Sequence, residues 1–249
     1  MALTDLITPQ WVKDRFLVGV NLTTDDGLPY PDELFEIAIA SAIDAVQDEL
    51  DIVFDDVTVT NEKHDSYGNS NGAPNFAPIR LRKRPVRSIT GITAAWGNNS
   101  PITIPVSWAN MAVDGLDFTG QLEIIPNQDA VSTLSSYGLP GLYRDVSPLW
   151  WRIAYQAGWE DPEDVPPGLL MAIGWIASAL PLDTAGDLIA GAGIANKSVS
   201  IDGLSTSVGT TSSATNAGYG ARLMSYQKQV SVQLAAAKNK YMVREFTAI

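Results

Sequence analysis

Apolar residues recur at spacings of three and four at Phe35, Ile39, Ile43, Val46, Leu50 and Val53, directly after Pro31, Asp32 and Glu33. That spacing predicts a core-facing helix of about five turns, and a proline and two acids suit its N-terminus. A shorter apolar face, Trp11, Val12 and Phe16, follows the helix-start pair Thr8-Pro9 in PQWVKDRFL and predicts a two-turn helix. The helical spacing returns from Pro167 with Leu169, Ile173, Ile176 and Leu180, and Pro181 is expected to end it. Leu223, Tyr226, Val230, Leu234, Ala237 and Tyr241 keep the same spacing from about Tyr219 onward. A helix of roughly 25 residues there would span about 37 Å.

Between these helical stretches the pattern changes. IRLRKRPVRSITGITAAW, PITIPVSW, GQLEIIP and WRIAYQAGW are short strand-like runs parted by Gly, Pro and Asn. Asn61 to Pro78, NEKHDSYGNSNGAPNFAP, has no period and is rich in Asn, Gly and Pro, which predicts a long mobile loop. The expected fold is α+β: a helical bundle with an inserted small, mostly antiparallel sheet and an extended arm before a long C-terminal helix. In one structural unit this places N-terminal helices at 1–60, the loop at 61–78 and the β part at 79–160. A helical part follows at 161–196, the arm at 197–220 and the last helix at 221–249.

The arm is predicted from what it lacks. STSVGTTSSATNAG offers one large apolar side chain, Val208, and no charge, so it suits neither burial in its own subunit nor a charged solvating linker. Ser and Thr with free backbone groups suit strand addition to another chain, with Ile201, Leu204 and Val208 as anchors. Gly218 and Gly220 around Tyr219 would turn the chain into the last helix. The competing reading is a plain Gly/Ser/Thr linker.

Composition narrows the chemistry. With 45% hydrophobic residues in 249, the chain can build one large or two small cores. The absence of cysteine excludes disulfides, thiolate metal sites and cysteine nucleophiles, and a single histidine, His64, excludes most histidine-built sites. His64 is expected on the surface. No signal peptide is expected in MALTDLITPQ, and VPPGLLMAIGWIASALPL, broken by three prolines, reads as a buried helix and no membrane span. The seven tryptophans are expected as core or interface anchors, with Trp150 and Trp151 on opposite faces of a strand.

The net charge of −12 is unevenly spread. Up to Asp65 there are 15 acidic residues against Lys13, Arg15 and Lys63, whereas Arg80, Arg82, Lys83, Arg84 and Arg87 fall within eight positions. Strand alternation in IRLRKR would put Arg80, Arg82 and Arg84 on one face, favouring an acidic protein surface or a polyanion. A neighbouring copy, through its acid-rich first quarter, is a natural counterpart. Such an acidic chain is a poor general binder of DNA. Asp25/Asp26, Asp55/Asp56 and the set Glu160, Asp161, Glu163, Asp164 could serve a carboxylate metal site, but they lie at turns where solvated acids are the simpler reading. No Gly-rich phosphate loop or serine nucleophile elbow is present, and no cofactor is expected.

One segment resembles a known family. YQAGWEDPEDVPPGLLMAIGWIASAL is similar to a stretch of the head-tail adaptor, or connector, proteins of tailed bacteriophages, where a strand ending in Tyr-x-Ala-Gly-aromatic leads to Val-Pro and a helix with Leu and Ala-Ile. Tyr155, Ala157, Gly158, Trp159, Val165, Pro166, Leu170, Ala172 and Ile173 carry the match. LRKRPVRSITGI and GQLEIIP look like further parts of the same proteins, as do SIDGLS and AGYGARL. The resemblance covers roughly residues 31 to 245. It implies a non-enzymatic virion protein made in the bacterial cytoplasm. About twelve copies would form a ring under the portal, joined to a downstream tail or neck protein, with DNA passing through the channel without specific binding. The alternatives are a carboxylate nuclease or another neck, tail-completion or capsid-decoration protein.

Overall fold

The computed structural model describes residues 2–24, 26–67, 79–95, 101–111, 119–125, 146–190, 196–201, 204–209 and 219–241. The chain forms two compact units, one of residues 1–50 and 162–238, the other of 51–161 and 239–249. The fold is α+β, as the residue pattern predicted.

The first unit is helical. A single turn, α1 (Leu3–Leu6), precedes α2 (Pro9–Phe16), whose N-terminus is closed by the Thr8 hydroxyl accepting from the Trp11 N–H at 3.2 Å. Helix α3 (Asp32–Leu50) buries Phe35, Ala38, Ile39, Ala42, Ile43, Val46 and Leu50 on one face. It stops before Val53 because Asp51 takes a left-handed backbone conformation, φ 53°. Helix α3 packs chiefly on α4 (Pro167–Ala177), which buries Leu169, Ala172, Ile173, Gly174 and Ala177. Gly174 is needed where α4 meets α2, because a Cβ there would run into the Phe16 ring.

Pro181 does not end this helical region. A break at Ser178 separates α4 from α5 (Ala179–Ala190), and Pro181 lies in the first turn of α5, where a missing N–H costs nothing. Pro167–Leu188 is long and apolar enough by composition to cross a membrane, yet half of it is buried within the fold, as a core helix requires. Helix α6 (Gly220–Tyr241) follows the predicted spacing.

The second unit is built on antiparallel strands. Its main sheet has β1 (Val57–Tyr67), β3 (Val86–Ala94) and β4 (Ile102–Ile104) with β7 (Val146–Ala157) in the order β1-β7-β3-β4. A small second sheet joins β2 (Ile79–Arg80), β6 (Gln121–Ile124) and β5 (Ala109–Met111). Strand β7 is paired on both sides, Ala157 standing opposite both Val57 and Val86. The core holds Ile79, Leu81, Val86, Ile92, Ile104, Leu122, Ile153 and Tyr155, with Trp108, Trp150 and Trp151. Trp150 and Trp151 are both buried, their rings edge-to-face with centroids 6.3 Å apart, and Leu149 just before them has φ 52°.

Strand β1 corrects the expectation of a loop from Asn61. Residues 61–67 are strand, held by backbone pairing with β7 and not by apolar alternation, while 68–78 lie outside the described residues. Of the extended arm expected at 197–220, the described part folds back on itself: β8 (Asn196–Ile201) and β9 (Leu204–Gly209) pair antiparallel, with Ile201 opposite Leu204 and Lys197 opposite Val208, while 202–203 and 210–218 lie outside the described residues. The two residues between the strands are Asp202 and Gly203, and Asp-Gly between β-prone runs is a hairpin signal that sequence reading passed over.

Gly158, with φ 86°, ends β7 where a Cβ would collide with the Asp55 carbonyl. Gly158→Ala should therefore destabilise the protein by more than about 2 kcal/mol, combining left-handed strain with a backbone clash. Urea unfolding checks this, and a loss below about 0.5 kcal/mol would disprove the close approach.

Candidate functional site

The basic band leads from β2 into β3, and its five side chains divide into two kinds. Alternation does not extend past Arg80, because β2 is two residues long and 82–85 is irregular. Arg80 is half-exposed and 3.3 Å from Asp51, and Arg82 and Lys83 are exposed. Arg84 is fully buried and cannot share their face. Arg87 is mostly buried and bridges Asp56 and Glu160, 3.1 Å from the latter. Among the described residues only Arg82 and Lys83 of the five make no ion pair.

Arg84 is held where a buried charge must be held, against a counter-charge and an acceptor. Its guanidinium pairs with Asp51 and donates to the Tyr241 carbonyl at 3.1 Å, and its own carbonyl accepts from the Val53 N–H at 2.7 Å. The Arg84–Pro85 peptide is cis. Gly120, with φ 64°, makes room for the side chain, since a Cβ there would come within 2.5 Å of Arg84 Cδ. Tyr241 is itself buried, which pushes its hydroxyl up to about 12.

A second network fixes the exposed part of the band. The Glu62 carboxylate, on β1, accepts from the Arg82 N–H at 2.9 Å, the Tyr155 hydroxyl at 2.5 Å and the Nε2–H tautomer of His64 at 2.7 Å. The Lys83 N–H donates to the Tyr155 hydroxyl at 3.0 Å. Burial alone would raise the Glu62 carboxyl, but the three hydrogen bonds outweigh it and hold the group below its ordinary value. Burial, and then the bond to Glu62, push Tyr155 far above its ordinary value. His64 is therefore no surface residue: its side chain is mostly buried against Glu62.

These groups position the loop that carries Arg82 and Lys83. An ionised carboxylate with three donors has little basicity to lend, and a phenol held neutral is no nucleophile. No group of three or more His, Asp or Glu able to hold a metal occurs among the described residues. The acids Asp55, Asp56, Glu160, Asp161, Glu163 and Asp164 are exposed, as turn acids should be, with Asp56 and Glu160 committed to Arg87. Arg82 and Lys83 stay exposed, next to Arg80, on a loop whose backbone is held by Glu62 and Tyr155.

The other predicted contact residues are placed less fully. The backbone of Ile201, Leu204 and Val208 lies in the β8-β9 hairpin, and Tyr219 is half-buried at the start of α6. The first unit also holds an apolar groove of about 550 Å³, lined by Trp175, Ile176, Leu223, Tyr226, Val230 and Leu234, that sequence spacing did not reveal. Helix α6, on one side of the groove, is tied down at separated points: Tyr226 donates to the Phe16 carbonyl at 2.7 Å, Arg222 to the Val18 carbonyl at 3.1 Å, and Lys238 pairs with Glu49.

No protein-family model matches the chain, and no curated protein matches it. Among solved structures, the neck of an empty gene transfer agent particle computed with C6 symmetry is 11% identical over 100% of this chain and 96% of that one, with TM-score 0.48. The neck of the native particle computed with C12 symmetry is 12% identical over 100% and 96%, with TM-score 0.43. A chain of the native virion is 14% identical over 97% and 92%, with TM-score 0.42. Nothing about this chain's function follows from likenesses this weak.

Two predictions follow from the networks. Arg84→Met strands the Asp51 interaction and the Tyr241 carbonyl and should cost about 2–4 kcal/mol in urea unfolding, whereas Arg82→Met should stay within about 0.5 kcal/mol. Because the folded Glu62 value is depressed, its contribution is full above the ordinary value of 4.5 and is lost as pH falls through the folded value. Acid titration of stability should show Glu62→Gln less stable than the wild type at neutral pH, with the gap closing below 4.5. A gap that persists unchanged into acid would show that Glu62 acts without its charge.

Proposed function

We propose that this chain is a structural protein of a tailed-phage particle, a head-tail adaptor of about twelve copies in a ring under the portal, enclosing the DNA channel. The observation that carries the reading is the segment from Tyr155 to Ile173. Every residue on which the family resemblance rests there has a definite place in the fold. Tyr155 anchors the basic loop through Glu62 and Lys83, and Ala157 is buried in the central strand. Gly158 makes a turn that a Cβ would block, and Trp159 stacks on Phe54 with centroids 5.5 Å apart. Val165 and Pro166 then lead into α4, which carries Leu170, Ala172 and Ile173. A motif kept for architecture, with no reactive group in it, suits a structural protein.

Charge supports the same reading. About twelve chains at −12 each would carry on the order of −144 formal charges, and an acidic lumen lets DNA slide without sticking. Arg82 and Lys83 then face protein, an acidic surface of the portal or of the next copy, because an inward basic loop would retain DNA. Among the described residues the β8-β9 hairpin pairs with no further strand, and it is the part of the arm suited to pairing with a partner.

Cryo-electron microscopy of the particle neck tests the proposal. A ring of this chain directly beneath the portal is expected, and its absence from the neck would refute the assignment. Reversing Arg82 and Lys83 to Glu should reduce attachment to the portal at least about tenfold at low salt while the free chain stays folded. Unchanged attachment would remove the basic loop from the interface.

A further inference from the structure

Helices α3 and α6 each expose one face, and the two faces are opposite in kind. The exposed stripe of α3 runs Glu33, Ile37, Ala40, Asp44 and Asp48 at spacings of three and four. The helix has six acids, Asp32, Glu33, Glu36, Asp44, Asp48 and Glu49, and no base. Asp32 pairs with Lys13 at 2.7 Å and Glu49 with Lys238, so Glu33, Glu36, Asp44 and Asp48 have no ion pair among the described residues. In the middle of this acidic stripe Ile37 is 67% exposed.

The exposed stripe of α6 runs Ala221, Met224, Ser225, Lys228, Val232, Ala235 and Ala236. Helix α6 has four bases, Arg222, Lys228, Lys238 and Lys240, and no acid. Arg222 is spent on the Val18 carbonyl and Lys238 on Glu49, so Lys228 is the charge at the centre of the outer stripe, with Lys240 at its C-terminal end. Four residues to either side of it stand Met224, 63% exposed, and Val232, 55% exposed. A surface helix normally carries charge on its outer face; a stripe whose centre sets one cation between two large exposed apolar side chains, with small residues around them, is built like an interface.

We infer that the outer face of α6 in one copy docks on the outer face of α3 in the next, with Lys228 among Glu33, Glu36 and Asp44 and with Met224 and Val232 packed about Ile37. The occupant is set by charge: the α6 stripe would repel another α6 at Lys228, and the α3 stripe would repel another α3 at four carboxylates. Each face therefore rejects its own kind and accepts the other. Contact between two different faces is head-to-tail, and it closes into a ring or runs on as a filament according to the rotation between copies. The inference names the contact that makes the ring and rests on the ring reading above. The small residues Ala221, Ser225, Ala235 and Ala236 let the two helix backbones approach closely.

The natural absence of cysteine makes the test clean. Full-length Ile37→Cys and Val232→Cys variants, mixed and assembled on particles or at high concentration, should form a mixed disulfide dimer under mild oxidation, since the bond requires Cα atoms within about 7 Å. Either variant alone should form none. Lys228→Glu should lower assembly at least about tenfold at low salt, and Asp44→Lys in the same chain should restore it. Rings that form without the mixed cross-link overturn this contact and leave the adaptor reading intact. The mixed cross-link in open filaments, with no copy in the neck, upholds the contact and overturns the adaptor reading. A Val232→Cys self-dimer overturns the contact in favour of a two-fold one, and neither assembly nor cross-link overturns both.

Discussion

A guanidinium cut off from water must find its counter-charge and acceptors inside the protein, and Arg84 finds them in segments far apart in the chain. Asp51 lies just beyond the end of α3, and the Tyr241 carbonyl lies at the end of α6. The Arg84 backbone also holds Val53, and Gly120 gives up its side chain to let the arginine pass. Removing either polar partner would leave a charge in a medium that cannot solvate it, so the loop between β2 and β3 has one way to sit. Above that fixed point, Glu62 and Tyr155 hold the Arg82 and Lys83 backbones, and the exposed cations inherit their positions from a rigid floor.

Most of the helical architecture was legible because helix periodicity depends only on spacing. Phe35 to Leu50 and Leu223 to Tyr241 show their buried sides directly in the sequence. Stops were less legible: the left-handed Asp51 ends α3 before Val53, and Pro181 begins a helix where it was expected to close one. A proline is compatible with the first turn of a helix as well as with its end, and sequence alone does not say which. Strand β1 was missed past Asn61 because its hold on β7 is through the backbone, which leaves no trace in side-chain pattern.

The site was legible as a set of residues and not as a geometry. Five basic residues in eight positions marked the place, but alternation assigned Arg84 to the wet face with Arg80 and Arg82. A two-residue strand gives alternation nothing to act on. Which cations are spent internally depends on acids at 51, 56 and 160, contacts that no local pattern encodes. Glu62 looked like a loop polar residue for the same reason, since its partner Tyr155 is 93 positions away, and His64 is held in turn by Glu62.

The central place of β7 also governs how the chain comes into being. Strands β1 and β3 flank β7 and do not pair with each other, so both lack their main partner until residue 157 has been synthesised. Helix α3 likewise waits for α4. A nascent chain that has left the ribosome only as far as residue 145 therefore carries two strands with open edges and an apolar helix face, and its closure is set by contacts distant in sequence.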